Sequence, residues 1–119
     1  DLAQGRNLSF PDFDGARKSA IAATLNDYVV IDNPLDYHTF IWDQEEKLTA
    51  TFSEVLKGGF DVGFVILDVP THPSMIRDGW ATTARAMAAA GAIFAGLATV
   101  IVAERRQHRQ MPEEVPVGE

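Results

Sequence analysis

Apolar residues along this chain follow a helical period in three segments and run continuously in three others. Helical spacing predicts helices over residues 14–26, 43–57 and 74–90, and the first begins at Asp14, an effective N-cap residue. Asp43 and Glu46 form a D-x-x-E capping pair that predicts the start of the second helix at Asp43, and Gly58-Gly59 ends that helix. Continuous apolar runs over residues 28–31, 62–69 and 98–102 predict buried strands.

Helices that alternate with strands apolar on both faces are typical of an α/β fold. We therefore expect a three-layer open parallel sheet with helices on both faces, of which this chain forms a partial domain. The domain is expected to cover residues 1–104 and to be truncated at its start, because residues 2–5 resemble the end of a helix capped by Gly5. Residues 105–119 are polar, contain Pro112 and Pro116, and are expected to form a disordered tail.

Residues 86–103 are uncharged and almost wholly apolar, which raises the alternative of a membrane span. The stretch is rich in Ala and Gly, and it changes from helix-forming residues 86–90 to the largely β-branched residues 97–102. Gly91 and Gly96 lie between the two parts. We favour a helix, a turn and a strand over a span.

Charge and cysteine usage exclude several classes of protein. The formal net charge is -7 and the pI is near 4.8, whereas nucleic-acid binding depends on clustered Lys and Arg. The chain has no cysteine, which excludes disulfides, a thiolate nucleophile and a cysteine-based zinc site. We expect a cytoplasmic protein with no nucleic-acid partner and no membrane partner.

The loop after the first predicted strand concentrates polar groups. In open α/β sheets, ligands bind beyond the carboxyl ends of the strands. Residues 33–42, hereafter the 33–42 loop, read N-P-L-D-Y-H-T-F-I-W and combine amide, carboxylate, hydroxyl and imidazole groups with aromatic rings. The loops at these ends are residues 32–42, residues 68–74 and whatever follows Ala103, and the first, which contains the 33–42 loop, is the main candidate for a binding site.

The 33–42 loop also resembles a known family. Together with G-G-F-D-V at residues 58–62 and a strand that ends L-D-V-P at residues 67–70, it is similar to the ADP-forming (NDP-forming) acyl-CoA synthetases of the acetate-CoA ligase type, relatives of succinyl-CoA synthetase. The resemblance covers residues 8–70 well and the remainder more loosely. It implies the flavodoxin-like, Rossmann-like ligase domain of that family.

The resemblance implies a reaction in which acyl-CoA, ADP and phosphate interconvert with a free acid, CoA and ATP through a phosphorylated histidine. In the family, the turn around N-P-L-D leads into a helix whose N-terminus faces the phosphoryl group, and helix N-termini favour anions. By position, the phosphate-facing loop of this chain consists of Asn33, Asp36, Tyr37, His38 and Thr39.

Two of these residues also have a structural interpretation. Asp36 and Asp43 put negative charge near the expected phosphate, so we expect Asp36 to hold the loop by accepting backbone N–H groups in an Asx turn. His38 could serve as a base or a phosphoryl carrier, but the family's phosphohistidine belongs to an S-H-T-G-type motif that this sequence lacks. We expect no catalytic residue in this chain and favour a hydrogen-bonding role for His38.

The resemblance also implies what the whole enzyme needs. We expect this domain to bind no cofactor alone, whereas CoA, ATP or ADP, and magnesium are implied for the complete acid-thiol ligase, with a small carboxylic acid as substrate. Its partners would be CoA-binding, phosphohistidine-bearing and ATP-grasp domains or subunits, so the isolated chain is expected to be inactive. Two alternatives stay open: a non-catalytic flavodoxin-like binding or regulatory remnant of the family, and a small membrane protein anchored through residues 86–103.

The remaining candidate side chains favour structural roles. His38, His72 and His108 share no metal-ligand spacing, so we predict no bound metal. His72 is interpreted as a turn residue before a capping Ser74. Trp42 and Trp80 could line an acyl pocket, but such residues more often anchor a core or a domain interface.

Overall fold

The computed structural model describes residues 5–70, 78–92 and 98–106. In chain order they form α1 (Gly15–Ala22), a 3-10 helix (Thr39–Ile41), α2 (Glu45–Leu56), β1 (Val62–Pro70), α3 (Asp78–Ala92) and β2 (Ala98–Arg106). Three expected features lie outside these ranges: the helix end before Gly5, the His72 turn with its capping Ser74, and the tail from residue 107 onward. β2 continues to Arg106, past the domain boundary expected at residue 104.

Helix α1 begins where the sequence predicts. Asp14 has an extended backbone and its Oδ1 accepts the Arg17 backbone N–H at 2.8 Å, which satisfies one of the free donors of the first turn. Ile21 is the fully buried residue of the helix. The helix ends at Ala22, earlier than expected, because the next residues turn back through a 3.0 Å bond from the Thr24 N–H to the Ile21 carbonyl.

Residues 28–31 do not form the expected buried strand. The backbone N–H groups of Tyr28 and Val29 both donate to Asn26, one to its side chain and one to its carbonyl, so the segment starts as a turn. The exposed fractions of Tyr28 and Val30 are 84% and 72%. The prediction is wrong because β-branched composition forms a strand only where a neighbouring strand is available, and none of the described strands pairs with this segment.

Helix α2 starts at Glu45, two residues later than predicted, and Gln44 is its N-cap without a side-chain hydrogen bond. The 3-10 helix before it continues into a turn in which the Gln44 N–H donates to the Ile41 carbonyl at 3.0 Å. Asp43 lies inside that turn, so the expected Asp43–Glu46 capping pair is wrong. The end of the helix agrees with prediction, since Gly59 follows it with a positive φ of 74°.

Strands β1 and β2 pair in parallel, with Val62 opposite Ala98 and Pro70 opposite Arg106. Side chains of β1 alternate between two environments. Val65 and Leu67 are 4% exposed and pack under α2 and α3, whereas Phe64 and Ile66 on the other face are 53% and 71% exposed. The core beneath the covered face contains Ile41, Leu48, Phe52, Leu56, Val65, Leu67, Ala86, Met87 and Ala90.

The described residues therefore form a mixed α/β structure in which α2 and α3 cover one face of a parallel sheet. The two-sided burial expected for residues 62–69 is wrong, because in the described ranges the helices that contact β1 lie on one face only. The apolar stretch at residues 86–103 contains the end of α3 and the start of β2. None of the helices that the structure describes is long and apolar enough to cross a membrane.

Candidate functional site

The last residues of the 33–42 loop lie near the carboxyl end of β1. They are anchored there: Ile41 is 5% exposed in the core, and the rings of Trp42 and Trp80 meet edge to face with centroids 5.0 Å apart. Trp80 in turn donates from Nε1 to the backbone carbonyl of Asp68, near the end of β1, at 3.0 Å. The two tryptophans therefore act as core anchors, as the sequence suggests, and they hold the end of the 33–42 loop close to Asp68.

The start of the loop is held by its polar side chains. Asn33 donates from Nδ2 to the Pro11 carbonyl at 3.0 Å, so its amide ties the loop to the segment before α1. Asp36 Oδ1 accepts the backbone N–H of His38 at 3.1 Å. The Asx-type role expected for Asp36 is confirmed, and its carboxylate is thereby committed to the loop itself.

His38 has an unusual backbone. Its φ is 55° and its ψ is 164°, a region that residues other than glycine rarely adopt. The side chain is exposed, and its ring lies 6.0 Å from that of Phe40. This conformation starts the 3-10 helix directly after His38. The backbone N–H groups of Thr39 and Phe40 make no hydrogen bond to any residue that the structure describes, so they remain available to an acceptor from outside.

Tyr37 turns inward, unlike its exposed neighbours Asp36 and His38. Its ring packs edge to face on Phe52 with centroids 5.2 Å apart. Burial raises the pKa of the Tyr37 hydroxyl above its ordinary value of 10.0, the nearby Thr83 hydroxyl lowers it in part, and the Asp36 carboxylate raises it. Of the residues expected to face phosphate, Tyr37 thus contributes its backbone to the surface and its ring to the core.

Thr83 is the buried partner of this contact. Its side chain is fully buried, and its Oγ1 makes no hydrogen bond of good geometry to a described residue. The Tyr37 and Thr83 hydroxyls are therefore close enough to interact electrostatically without forming a well-aligned hydrogen bond. The Thr83 hydroxyl is therefore a buried polar group of α3 without a hydrogen bond to a described residue, next to the 33–42 loop.

The first half of α3 contacts the 33–42 loop at Trp42 and Tyr37. Gly79 lies so close to Trp42 that a Cβ at this position would sit 3.0 Å from Cε3 of the indole. One turn further, Thr83 lies beside Tyr37, and Arg85 reaches across to Glu45 at the start of α2, with its Nε 2.9 Å from Glu45 Oε2. The sequence did not predict these contacts of α3. The one signal that the sequence contains is Arg85, the only charged residue between positions 79 and 103.

The charge of the site is strongly acidic. Residues 33–46 contain Asp36, Asp43, Glu45 and Glu46 and no Lys or Arg. Glu45 and Glu46 occupy the first turn of α2, so carboxylates rather than an external anion compensate the N-terminal dipole of that helix. The donors left for an anion are the exposed N–H groups of the 3-10 helix.

Other surface features are smaller or less well formed. A cavity of about 90 Å³ lies between the segment before α1 and the end of α2, lined by Pro11, Asp12, Phe13, Asp14, Arg17, Gly58 and Phe60. A shallow depression runs along the outer side of α2, past Glu45, Thr49 and Ser53. In residues 5–70, 78–92 and 98–106, no group of three His, Asp or Glu side chains is arranged to hold a metal ion. His72 and His108 lie outside the described residues.

Comparison of the chain with protein-family models, with curated proteins and with solved structures finds no significant match.

Proposed function

We propose that this chain is the flavodoxin-like ligase domain of an ADP-forming acyl-CoA ligase of the acetate-CoA type. The whole enzyme would interconvert acyl-CoA, ADP and phosphate with a free acid, CoA and ATP through a phosphohistidine. In this proposal the 33–42 loop receives the phosphoryl group while another domain or subunit carries it on a histidine. CoA, magnesium and the nucleotide would bind to those partners.

The observation that carries the proposal is the pair of backbone N–H groups at Thr39 and Phe40, which make no hydrogen bond to a described residue. They belong to a loop whose first and last residues, Asn33 and Trp42, are held by Pro11 and Trp80. Donors held in place by a rigid support bind phosphoryl oxygens without a cost of reorganisation. Asp36 supports this role, because its carboxylate is occupied by the His38 N–H.

The exposed face of β1 supports the proposed larger fold. Parallel sheets are normally covered on both faces, and Phe64 and Ile66 present an apolar face opposite the helices. In the proposal, further elements of the complete enzyme cover this face and complete a three-layer, Rossmann-like sheet. The chain would then be one part of a larger α/β domain.

A phosphate titration tests the binding step. The full chain, labelled with ¹⁵N, is titrated with inorganic phosphate at constant ionic strength, and the Thr39 and Phe40 amide signals are expected to shift and saturate. Thr39→Pro removes one donor at a position where proline is tolerated in a helix, so it should abolish the shift at Phe40. Thr39→Ala keeps the N–H and should bind as the original chain does. Saturable shifts elsewhere and none at these two amides would contradict the proposal.

Reconstitution tests the reaction. The chain alone, supplied with acetyl-CoA, ADP, magnesium and phosphate, should form no ATP. ATP should appear when the chain is combined with the CoA-binding, phosphohistidine-bearing and ATP-grasp parts of an acetate-CoA ligase that lacks its own ligase domain. If phosphate binds but reconstitution fails with several such enzymes, the chain is the non-catalytic remnant of the family.

A further inference from the structure

An extended segment without a neighbouring strand leads into the 33–42 loop. From Tyr28 to His38, exposed and half-buried side chains alternate without a break, which is the period of two that an extended chain produces. Neither β1 nor β2 pairs with this segment. Residues 28–32, hereafter the 28–32 edge, thus lie extended on the surface of the protein, with one row of side chains turned towards it and the other towards solvent.

The backbone of the 28–32 edge is open on one side. In an extended chain, the N–H and carbonyl groups of successive residues point to opposite sides. On one side, the Val29 N–H donates to the Asn26 carbonyl at 3.2 Å. On the other side, the N–H and carbonyl groups of Val30 and Asp32 make no hydrogen bond to any residue that the structure describes. A row of unpaired backbone groups is a template for an added strand.

The exposed side chains indicate which strand would fit. Tyr28 and Val30 are 84% and 72% exposed, so two large apolar side chains face solvent beside the open backbone. Residues 27–36 contain three aspartates and no Lys or Arg, and Lys18 of α1 lies 3.1 Å from one of them, Asp32. Opposite charges across a strand pair stabilise it and like charges destabilise it. The edge therefore favours a basic strand, and the net charge of -7 disfavours a second copy of this chain.

We infer that the 28–32 edge binds an extended basic segment of a partner protein by strand addition. Backbone hydrogen bonds to Val30 and Asp32 hold the segment, a basic side chain lies opposite Asp32, and the aliphatic stems of basic side chains cover Val30 and the Tyr28 ring. The partner supplies the neighbouring strand that the described residues do not provide, so the β-branched composition of the edge is used in the complex. The inference is independent of the proposed function, because it needs no phosphoryl group.

A peptide titration tests the inference. The probe is an octapeptide of alternating lysine and valine, acetylated and amidated at its ends, added to the ¹⁵N-labelled full chain at constant ionic strength. The Val30 and Asp32 amide signals should shift and saturate, and both amides should exchange with solvent more slowly in the complex. An octapeptide of alternating glutamate and valine should bind at least about tenfold more weakly, because its charge has the same sign as that of the chain.

Two methylated forms of the lysine–valine peptide are the matched controls. One carries a methyl group on the amide nitrogen of every lysine, and the other on that of every valine, so both keep the charge and the side chains. The N–H groups of the two residue types point to opposite edges of an extended peptide. Since an added strand pairs through one edge, one methylated peptide should lose binding and the other should retain it.

Proline substitutions make the same comparison on the chain. Val30→Pro removes the N–H on the open side and should weaken binding of the lysine–valine peptide by about tenfold. Ile31→Pro removes an N–H on the other side and should bind the peptide as the original chain does. Proline is compatible with an extended segment at an edge, and thermal unfolding followed by circular dichroism shows that each variant keeps the fold.

The outcomes decide between strand addition and its alternatives. Saturable shifts at Val30 and Asp32 that are lost with one methylated peptide and in Val30→Pro support the inference. Equal binding of the two methylated peptides would mean attraction by charge alone and would overturn it. Signals of these two amides that move when the chain alone is diluted would show a second copy at the edge, which would also overturn it. If no shift occurs at either amide, strand addition is excluded, and the phosphate titration still decides the proposed function separately.

Discussion

A Thr83→Val substitution tests the contact between α3 and the 33–42 loop. The Thr83 side chain is fully buried and its Oγ1 has no hydrogen-bond partner among the described residues. A buried hydroxyl left unsatisfied costs about 1 to 3 kcal/mol. Valine is branched at the same position and has nearly the same volume, so it leaves neither a cavity nor a new strain. We expect the free energy of unfolding to rise by about 1 kcal/mol.

Thr51→Val is the matched control. Thr51 in α2 is also fully buried, but its Oγ1 donates to the Lys47 carbonyl at 2.9 Å and lies 2.8 Å from the Thr24 hydroxyl. The same chemical change here removes two satisfied contacts, so the free energy of unfolding should fall by about 1 to 2 kcal/mol. Urea denaturation followed by circular dichroism measures both changes, and equal slopes show that the unfolded states are comparable.

The two substitutions should therefore change the free energy of unfolding in opposite directions. If Thr83→Val destabilises the protein as much as Thr51→Val, then the Thr83 hydroxyl is hydrogen-bonded to Tyr37 in solution and the reasoning is refuted. Ultraviolet titration of the tyrosines gives a second check. The pKa of Tyr37 should change little in Thr83→Val, and a clear rise would show instead that the Thr83 hydroxyl donates to Tyr37 in solution.

Three further predictions follow from the same contacts. The pKa of Tyr37 is raised in the folded protein. The stability that Tyr37 contributes is therefore fully present below about pH 10, the pKa of an unfolded tyrosine, and is lost as the pH rises from there through the folded value. Tyr37→Phe should flatten this alkaline loss of stability, measured by urea denaturation at stepped pH. Asp14→Ala removes the cap on the Arg17 N–H and should cost about 1 kcal/mol by thermal unfolding, whereas Asp14→Asn should cost much less. The positive φ of His38 costs about 1 to 3 kcal/mol in a residue other than glycine, and His38→Gly removes this cost. Glycine also makes the unfolded chain freer, which lowers the free energy of unfolding by about 0.5 to 1 kcal/mol, so a net gain in stability of about 1 kcal/mol is expected. A loss of stability as large as that of His38→Ala would contradict the assigned backbone conformation.

The sequence predicted well the features that depend on neighbouring residues. The cap at Asp14 and the Gly59 end of α2 are encoded within a few positions, and both are present. The Asx role of Asp36 is likewise a contact between residues two apart. Such features need only local side-chain chemistry, so one sequence is enough to find them.

Features that depend on distant partners were predicted poorly. Residues 28–31 have the composition of a strand, but pairing requires a neighbour that local sequence does not specify. Asp43 has the residue type of a cap, but the 3-10 helix before it places it inside a turn. Tyr37 was expected to contribute its backbone to the phosphate-facing loop, and the packing of its ring on Phe52 from a separate helix was not predicted.

The support that α3 gives to the loop was missed for the same reason. Gly79, Thr83 and Arg85 contact Trp42, Tyr37 and Glu45, which are more than 35 positions away, and no motif links the two sets. A single charge at Arg85 within a long uncharged stretch was the visible signal. Isolated charges on otherwise apolar helices are therefore useful guides to contacts that periodicity does not reveal.

The exposed face of β1 affects the solubility of the purified chain. Phe64 and Ile66 stand two positions apart on one strand and are more than half exposed, so they form a continuous nonpolar strip. A net charge of -7 keeps molecules apart at low ionic strength, but added salt weakens this repulsion and sulfate strengthens nonpolar association. This exposed strip therefore predicts that added sulfate lowers the solubility of the chain despite its net negative charge.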